Sequence, residues 1–206
     1  MRLNARTIIQ IALVARLAAG GTAAAQEPAG DPLTNDGVFR ASAIVDSVFV
    51  DRHLLEADVA AGDFASYLMA RLGVIPIPND LRFRVLVDSE RIRLNGRIQD
   101  LPEEARQELG PLLSMFPSGT MVNAFIVLAD AGSRAIRFHL QSVTVNGFPI
   151  PEMALQAVLY DVGKSYPALT KTGRDLYVEI PHTARVLLLP DAVRLIGPRP
   201  TDAGSP

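Results

Sequence analysis

Two hydrophobic periods alternate along this chain. Phe83, Val85 and Val87 alternate with Arg82, Arg84, Leu86 and Asp88; beyond Ser89-Glu90, Ile92, Leu94 and Ile98 alternate with Arg91, Arg93, Asn95 and Arg97. A period of two is the mark of half-buried strands. A tight turn centred on Ser89-Glu90 pairs Val87 with Ile92 and Val85 with Leu94, which gathers the apolar residues on one face. The same register puts Arg82 opposite Arg97 on the other face, a like-charge pair that calls for an acid or anion between its members.

Upstream the period changes. Phe64, Tyr67, Leu68 and Leu72 fall at i, i+3, i+4 and i+8, one apolar stripe of a helix, with Gly73 at the C-cap and Pro76 and Pro78 barring continuation. Val38 to Val50 alternates loosely and ends in Val48-Phe49-Val50, which reads as a strand. Pro102 to Phe116 reads as a second helix, with Glu103 and Glu104 at its positive end.

Met121 to Ala129 is apolar on both faces, as in a strand buried on both sides or lining a cavity. Ala135 to Val145 alternates Ile136, Phe138 and Leu140 with Arg137, His139 and Gln141. Asn146-Gly147 makes a turn, and Pro151 opens a third helix. On that helix Leu155, Val158, Leu159 and Val162 form one stripe, while Met153, Ala157 and Tyr160 add apolar surface away from it, so the helix needs two apolar neighbours. Leu176 to Ile180, Arg185 to Leu189 and Val193 to Ile196 read as short strands that close an antiparallel sheet. The fold class expected is α+β, a curved antiparallel sheet packed against two or three helices in a single domain.

The ends of the 206-residue chain differ from its middle. Arg2 and Arg6 precede a largely apolar run, Thr7 to Ala19, and Ala23-Ala24-Ala25 gives the small-x-small pattern of a signal-peptidase site. Residues 1–25 are therefore read as a signal peptide, cut near Ala25/Gln26, with a periplasmic or secreted product. An uncleaved membrane anchor is the alternative, disfavoured by Arg16 and by the shortness of the apolar runs beside it. Residues 26–37 read as a flexible leader, 38–197 as the α+β domain and 198–206 as a disordered tail.

Composition narrows the chemistry. Removal of residues 1–25 takes Arg2, Arg6 and Arg16 with it, leaving 17 basic against 22 acidic residues and a formal charge of −5. That balance argues against a nucleic-acid partner. The chain has no cysteine, hence no disulfide framework and no lipid-modified Cys. His53, His139 and His182 lack metal-pair spacing, so no metal and no cofactor are expected. Gly163-Lys164-Ser165 resembles the end of a phosphate-binding loop, but Val158 stands where its first glycine belongs; a helix C-cap at Gly163 is the reading kept. No nucleophile elbow and no dinucleotide fingerprint appear, and the balance leans away from an enzyme.

One charged constellation stands out: Arg82, Arg84, Arg91, Arg93 and Arg97 on one side of the hairpin, a candidate anion-binding face for phosphate groups or an acidic polymer. A solvated face balanced by neighbouring carboxylates gives the same pattern.

The stretch SVTVNGFPIPEMALQAVLYDVGKSY from Ser142 to Tyr166, DLYVEIP from Asp175 to Pro181, and Gly62-Asp63-Phe64-Ala65-Ser66-Tyr67-Leu68 resemble segments of small bacterial envelope proteins of unknown function. The fold this resemblance implies is similar to the tubular lipid-binding, or TULIP-like, superfamily, in which a helix lies against a curved antiparallel sheet with an apolar groove between them. The function it implies is non-catalytic binding of a lipid or other apolar ligand, with Phe125, Val127, Met153, Ala157 and Tyr160 as candidate lining; tight core packing accounts for the same apolar positions. The alternative is an envelope structural or assembly protein that meets a protein or anionic polymer through an edge strand or the arginine face. A membrane surface stays open as a partner.

Overall fold

The computed structural model describes residues 28–78, 81–100, 116–117, 119–132 and 134–198. The expected signal peptide, most of the helix read over Pro102–Phe116 and the tail beyond Pro198 lie outside the described residues.

Among the described residues, ten strands and three α-helices follow in order. They are β1 (Asp31–Pro32), α1 (Asn35–Val45, extended by a π turn Asp46–Val50), β2 (Glu56–Ala60), α2 (Ala61–Arg71), β3 (Arg84–Val87), β4 (Ile92–Arg97), β5 (Met121–Asp130), β6 (Ala135–Val145), β7 (Phe148–Pro149), α3 (Glu152–Ser165), β8 (Asp175–Glu179), β9 (Arg185–Leu189) and β10 (Ala192–Ile196). The expected α+β class with antiparallel sheets holds. The last strands do not close one sheet, however. A seven-stranded sheet runs β1-β3-β4-β5-β6-β7 with β8 also on β6, and β2-β10-β9 form a second, three-stranded sheet.

The hairpin register is the one the alternation predicts: Val87 faces Ile92 and Val85 faces Leu94. Gly96 follows on β4, where the Phe83 ring occupies the space of a side chain. The α2 stripe also forms as expected. Gly73, at φ +92°, takes the left-handed position after the helix; its N–H reaches the Ala70 carbonyl and that of Val74 the Met69 carbonyl, each at 3.0 Å, closing a Schellman motif.

Val38–Val50 is a correction, for it is helical. The Thr34 hydroxyl accepts from the Gly37 N–H at 2.9 Å and caps the helix start, and Asp36 complements the positive end. Ala41 and Val48 are then buried on one face and packed by Val38 and Val45. The β-branched residues that suggest a strand carry only a weak bias, which burial along a helical stripe overrides. Residues 31–37 are likewise not a free leader: Asp31 pairs with Val85 and Pro32 with Arg84, and the helix begins at Asn35. Strand β2 carries little alternating signal, and it forms because β10 pairs with it, Val193 on Val59 and Arg194 on Asp58. Gly163 is no C-cap but an internal residue of α3, where the Thr170 carbonyl and Gly173 come too close for a Cβ.

The core lies between the layers. Val85, Val87, Ile92, Ile136, Phe138, Leu176 and Val178 cover the inner face of the large sheet; Ala41, Val48, Phe64 and Ala65 come from the helices, and Val59, Val193 and Leu195 from the small sheet. Phe64 meets Phe138 with ring centroids 5.9 Å apart. A bidentate pair, Arg40 Nε to Asp63 Oδ2 at 2.8 Å and Nη2 to Oδ1 at 2.7 Å, ties α1 to α2 at the surface.

Candidate functional site: an apolar cavity between α2 and the sheet

Beyond the Phe64–Phe138 contact, helix and sheet part. A cavity of about 350 Å³ opens there between Ala65, Leu68, Met69 and Leu72 of α2 and Ile92, Leu94, Ala124, Ile126, Phe138, Leu140 and Leu176 of the sheet, with Leu33, Leu169, Gly173 and Arg174 completing its wall. Ala65 on the helix wall and Ala124 on the sheet wall are the small side chains of these two elements in the lining, and they leave space that larger residues would fill. Ligand sites typically enclose roughly 300–1,000 Å³ with mostly apolar walls.

A bulge builds the sheet side. Phe125 pairs with Ser142, but Ile126 pairs with Leu140, leaving Gln141 as an extra residue on β6. On one side of it Val143 and Val145 share a face with Ala124 and Val122; on the other, Leu140, Phe138 and Ile136 share that same face with Ile126 and Leu128. Were Gln141 paired in a regular ladder instead of bulged, one of the two runs would turn outward.

The same alternation decides the fate of the expected lining. The cavity takes Ala124 and Ile126 from β5, and Phe125 and Val127 stand on the opposite face, Phe125 under the Arg91 guanidinium at 4.9 Å. Met153 and Tyr160 are 84% and 54% exposed, and Lys164 Nζ lies 4.2 Å from the centre of the Tyr160 ring. The Ala157 side chain lies outside the described residues. The helix α3 buries Leu155 and Leu159 instead. Its position fixes the cavity wall indirectly, because Gly173, at φ +69°, sits so tightly on the Leu159 backbone that no side chain fits between them. The residues expected from the sequence do not line this cavity because the groove was expected against the third helix, and because a doubly apolar strand does not declare which face is inward. The polar doublet Gln141-Ser142, which interrupts the alternation of β6, was the signal that could have located the switch.

Arg174 is the one charged residue in the described wall. Its side chain is 16% exposed, and its Nη2 lies 2.6 Å from Oε1 of Glu152, itself 71% exposed at the start of α3. The Leu140 N–H donates to the Arg174 carbonyl at 2.9 Å, extending the β6–β8 ladder and holding the arginine beside the cavity.

The five hairpin arginines do share a face, but not as an open row. Asn95, between Arg93 and Arg97 on β4, is buried, and its Nδ2 donates to the Ala29 carbonyl at 3.0 Å, so the segment before β1 crosses the face. Arg91 is held by Asp88 at 3.6 Å as well as by Phe125; Arg84 and Arg97 are also engaged; Arg82 and Arg93 are exposed.

On the outer face of β6 and β8, His139 Nδ1 lies 2.8 Å from Asp175 Oδ1, and Arg137 Nε 3.8 Å from the same oxygen. Across the ladders these residues meet Val127, Ala129 and Tyr177, and no serine or threonine stands opposite the imidazole. The arrangement is a cross-strand ion cluster. Among the described residues no three His, Asp or Glu side chains converge on a metal site, and no helix is long and apolar enough to cross a membrane.

Comparison of the chain with family models, curated proteins and solved structures finds no match.

Proposed function

We propose that this chain is an exported binding protein that holds a small apolar molecule between α2 and the large sheet, without covalent chemistry. The observation that carries this reading is the 350 Å³ cavity itself, whose described wall is apolar apart from Arg174. Interiors of this size range normally close to near-crystalline density, and voids larger than a water molecule are few. Filling such a space with a ligand returns the dispersion contacts that the wall otherwise forgoes and removes apolar surface from water, about 0.8 kcal/mol for each methylene buried. The sequence resemblance to TULIP-like envelope proteins agrees with a helix-on-sheet groove as the binding element, and the amino-terminal pattern with export.

Native mass spectrometry of the protein purified without detergent tests the reading. A population heavier than the polypeptide by one small apolar molecule, released by organic solvent, is the expected result. An unadorned mass, together with no saturable binding of 1-decanol in calorimetry, overturns it.

A further inference from the structure

We propose that the ligand of this cavity is a single-chain carboxylate of medium length, about ten carbons, whose head group is held by Arg174; the inference rests on the apolar-ligand reading and sharpens it.

Size gives the first constraint. At the roughly 30 Å³ that one water occupies in the liquid, 350 Å³ accommodates about a dozen non-hydrogen atoms. Decanoate has about that number, whereas a two-tailed phospholipid has several times as many.

Charge gives the second. Arg174 is 16% exposed in a wall otherwise made of apolar residues, and a cation so far removed from water requires an anionic partner. Glu152 fills that role at 2.6 Å, yet it is 71% exposed and loses little by swinging back into solvent. The planar guanidinium offers a fork matched to the two oxygens of a carboxylate. One arginine balances one negative charge, and the described wall supplies no second cation for a dianionic phosphate.

Position gives the third. The Arg174 carbonyl is fixed by the Leu140 N–H, and Gly173 beside it is clamped on the Leu159 backbone, so the backbone carrying the cation is held while its side chain can trade one carboxylate for another.

Calorimetric titration of the delipidated protein with decanoate, 1-decanol and a series from octanoate to hexadecanoate tests this, with R174Q and E152Q alongside. Decanoate is expected to bind at least tenfold more tightly than 1-decanol, R174Q to remove that preference for acid over alcohol, and affinity to peak near ten carbons. E152Q, which removes the competing carboxylate, is expected to tighten decanoate two- to tenfold and leaves the test standing if R174Q fails to fold. Equal binding of acid and alcohol, with both variants indifferent, overturns the head-group assignment and leaves the apolar-ligand reading intact. Affinity that climbs steadily to sixteen carbons overturns the length. Binding of neither probe overturns both readings together.

Discussion

Ile126 and Leu140 stand opposite one another across β5 and β6 because Gln141 has no partner. That one-residue slip keeps Val143 and Val145 on the same face as Leu140, Phe138 and Ile136. Deleting Gln141 leaves Leu140 inward, Ser142 outward and Val143 inward in an unbroken ladder, so both apolar runs keep their face and only the local kink is lost. The deletion variant is expected to keep its cooperative thermal transition and near-ultraviolet dichroism, whereas a second residue inserted beside Gln141 leaves the bulge two residues wide and is expected to lower the melting temperature. Gln141→Ala keeps the bulge and is expected to stay within about 0.5 kcal/mol of the parent. A deletion variant that loses its cooperative transition would contradict this register.

Two glycines with positive φ separate conformational strain from steric conflict. Gly73 has open space where a Cβ would go, so Gly73→Ala carries only the left-handed penalty, about 1 kcal/mol. Gly173 has that penalty and in addition meets the Leu159 backbone. Gly173→Ala is expected to lose clearly more, upwards of about 2 kcal/mol, and to loosen α3. Urea denaturation of the two variants side by side measures the difference; equal losses would mean that α3 does not depend on this contact.

Much of the fold was legible in the sequence where one physical signal dominated. The β3–β4 register followed from strict alternation, and the end of α2 from Gly73 with the prolines beyond it. Where signals competed, the reading failed. The valines of Val48-Phe49-Val50 favour a strand locally, but the Thr34 cap and the burial of Ala41 and Val48 on a common stripe make a helix. Strand β2 exists through pairing with β10, over a hundred residues away, which local pattern does not encode. The groove was expected between the sheet and the third helix, whereas the cavity lies against α2, and Phe125 and Val127 face away from it, since Phe125 and Ile126 are equally apolar and only the register with Leu140 distinguishes them.

The Ser89-Glu90 turn supplies a pH prediction. Asp88 Oδ1 accepts the Glu90 and Arg91 N–H groups at 2.9 Å each, and these bonds, the Glu90 one foremost, hold its carboxyl below the ordinary aspartate range. A carboxylate with a depressed folded pKa stabilises the fold above its unfolded value and loses that contribution as pH falls through the folded one. The parent is therefore expected to exceed Asp88→Ala by a constant margin near neutrality, below about 1 kcal/mol because the site is exposed. The margin should shrink below the ordinary value of 3.8. Melts from pH 7 to pH 2 follow it; a margin that grows on acidification contradicts the assignment.

Ala124 leaves the space that the proposed ligand fills. Ala124→Phe is expected to fill the cavity from the sheet side, keep the melting temperature within a few degrees of the apo parent and abolish binding of 1-decanol. Calorimetry and a thermal melt on one preparation check both halves. Undiminished binding in a folded variant would move the ligand elsewhere.

The central claim, that an apolar molecule occupies the space between α2 and the sheet, is tested most directly by methyl-resolved NMR during titration with 1-decanol. Saturable shifts are predicted at the methyls of Leu68, Leu72, Leu94, Ile126, Leu140 and Leu169, with the exposed Leu54 and Leu55 unmoved. Shifts confined to the exposed leucines, or no saturation at all, would contradict it.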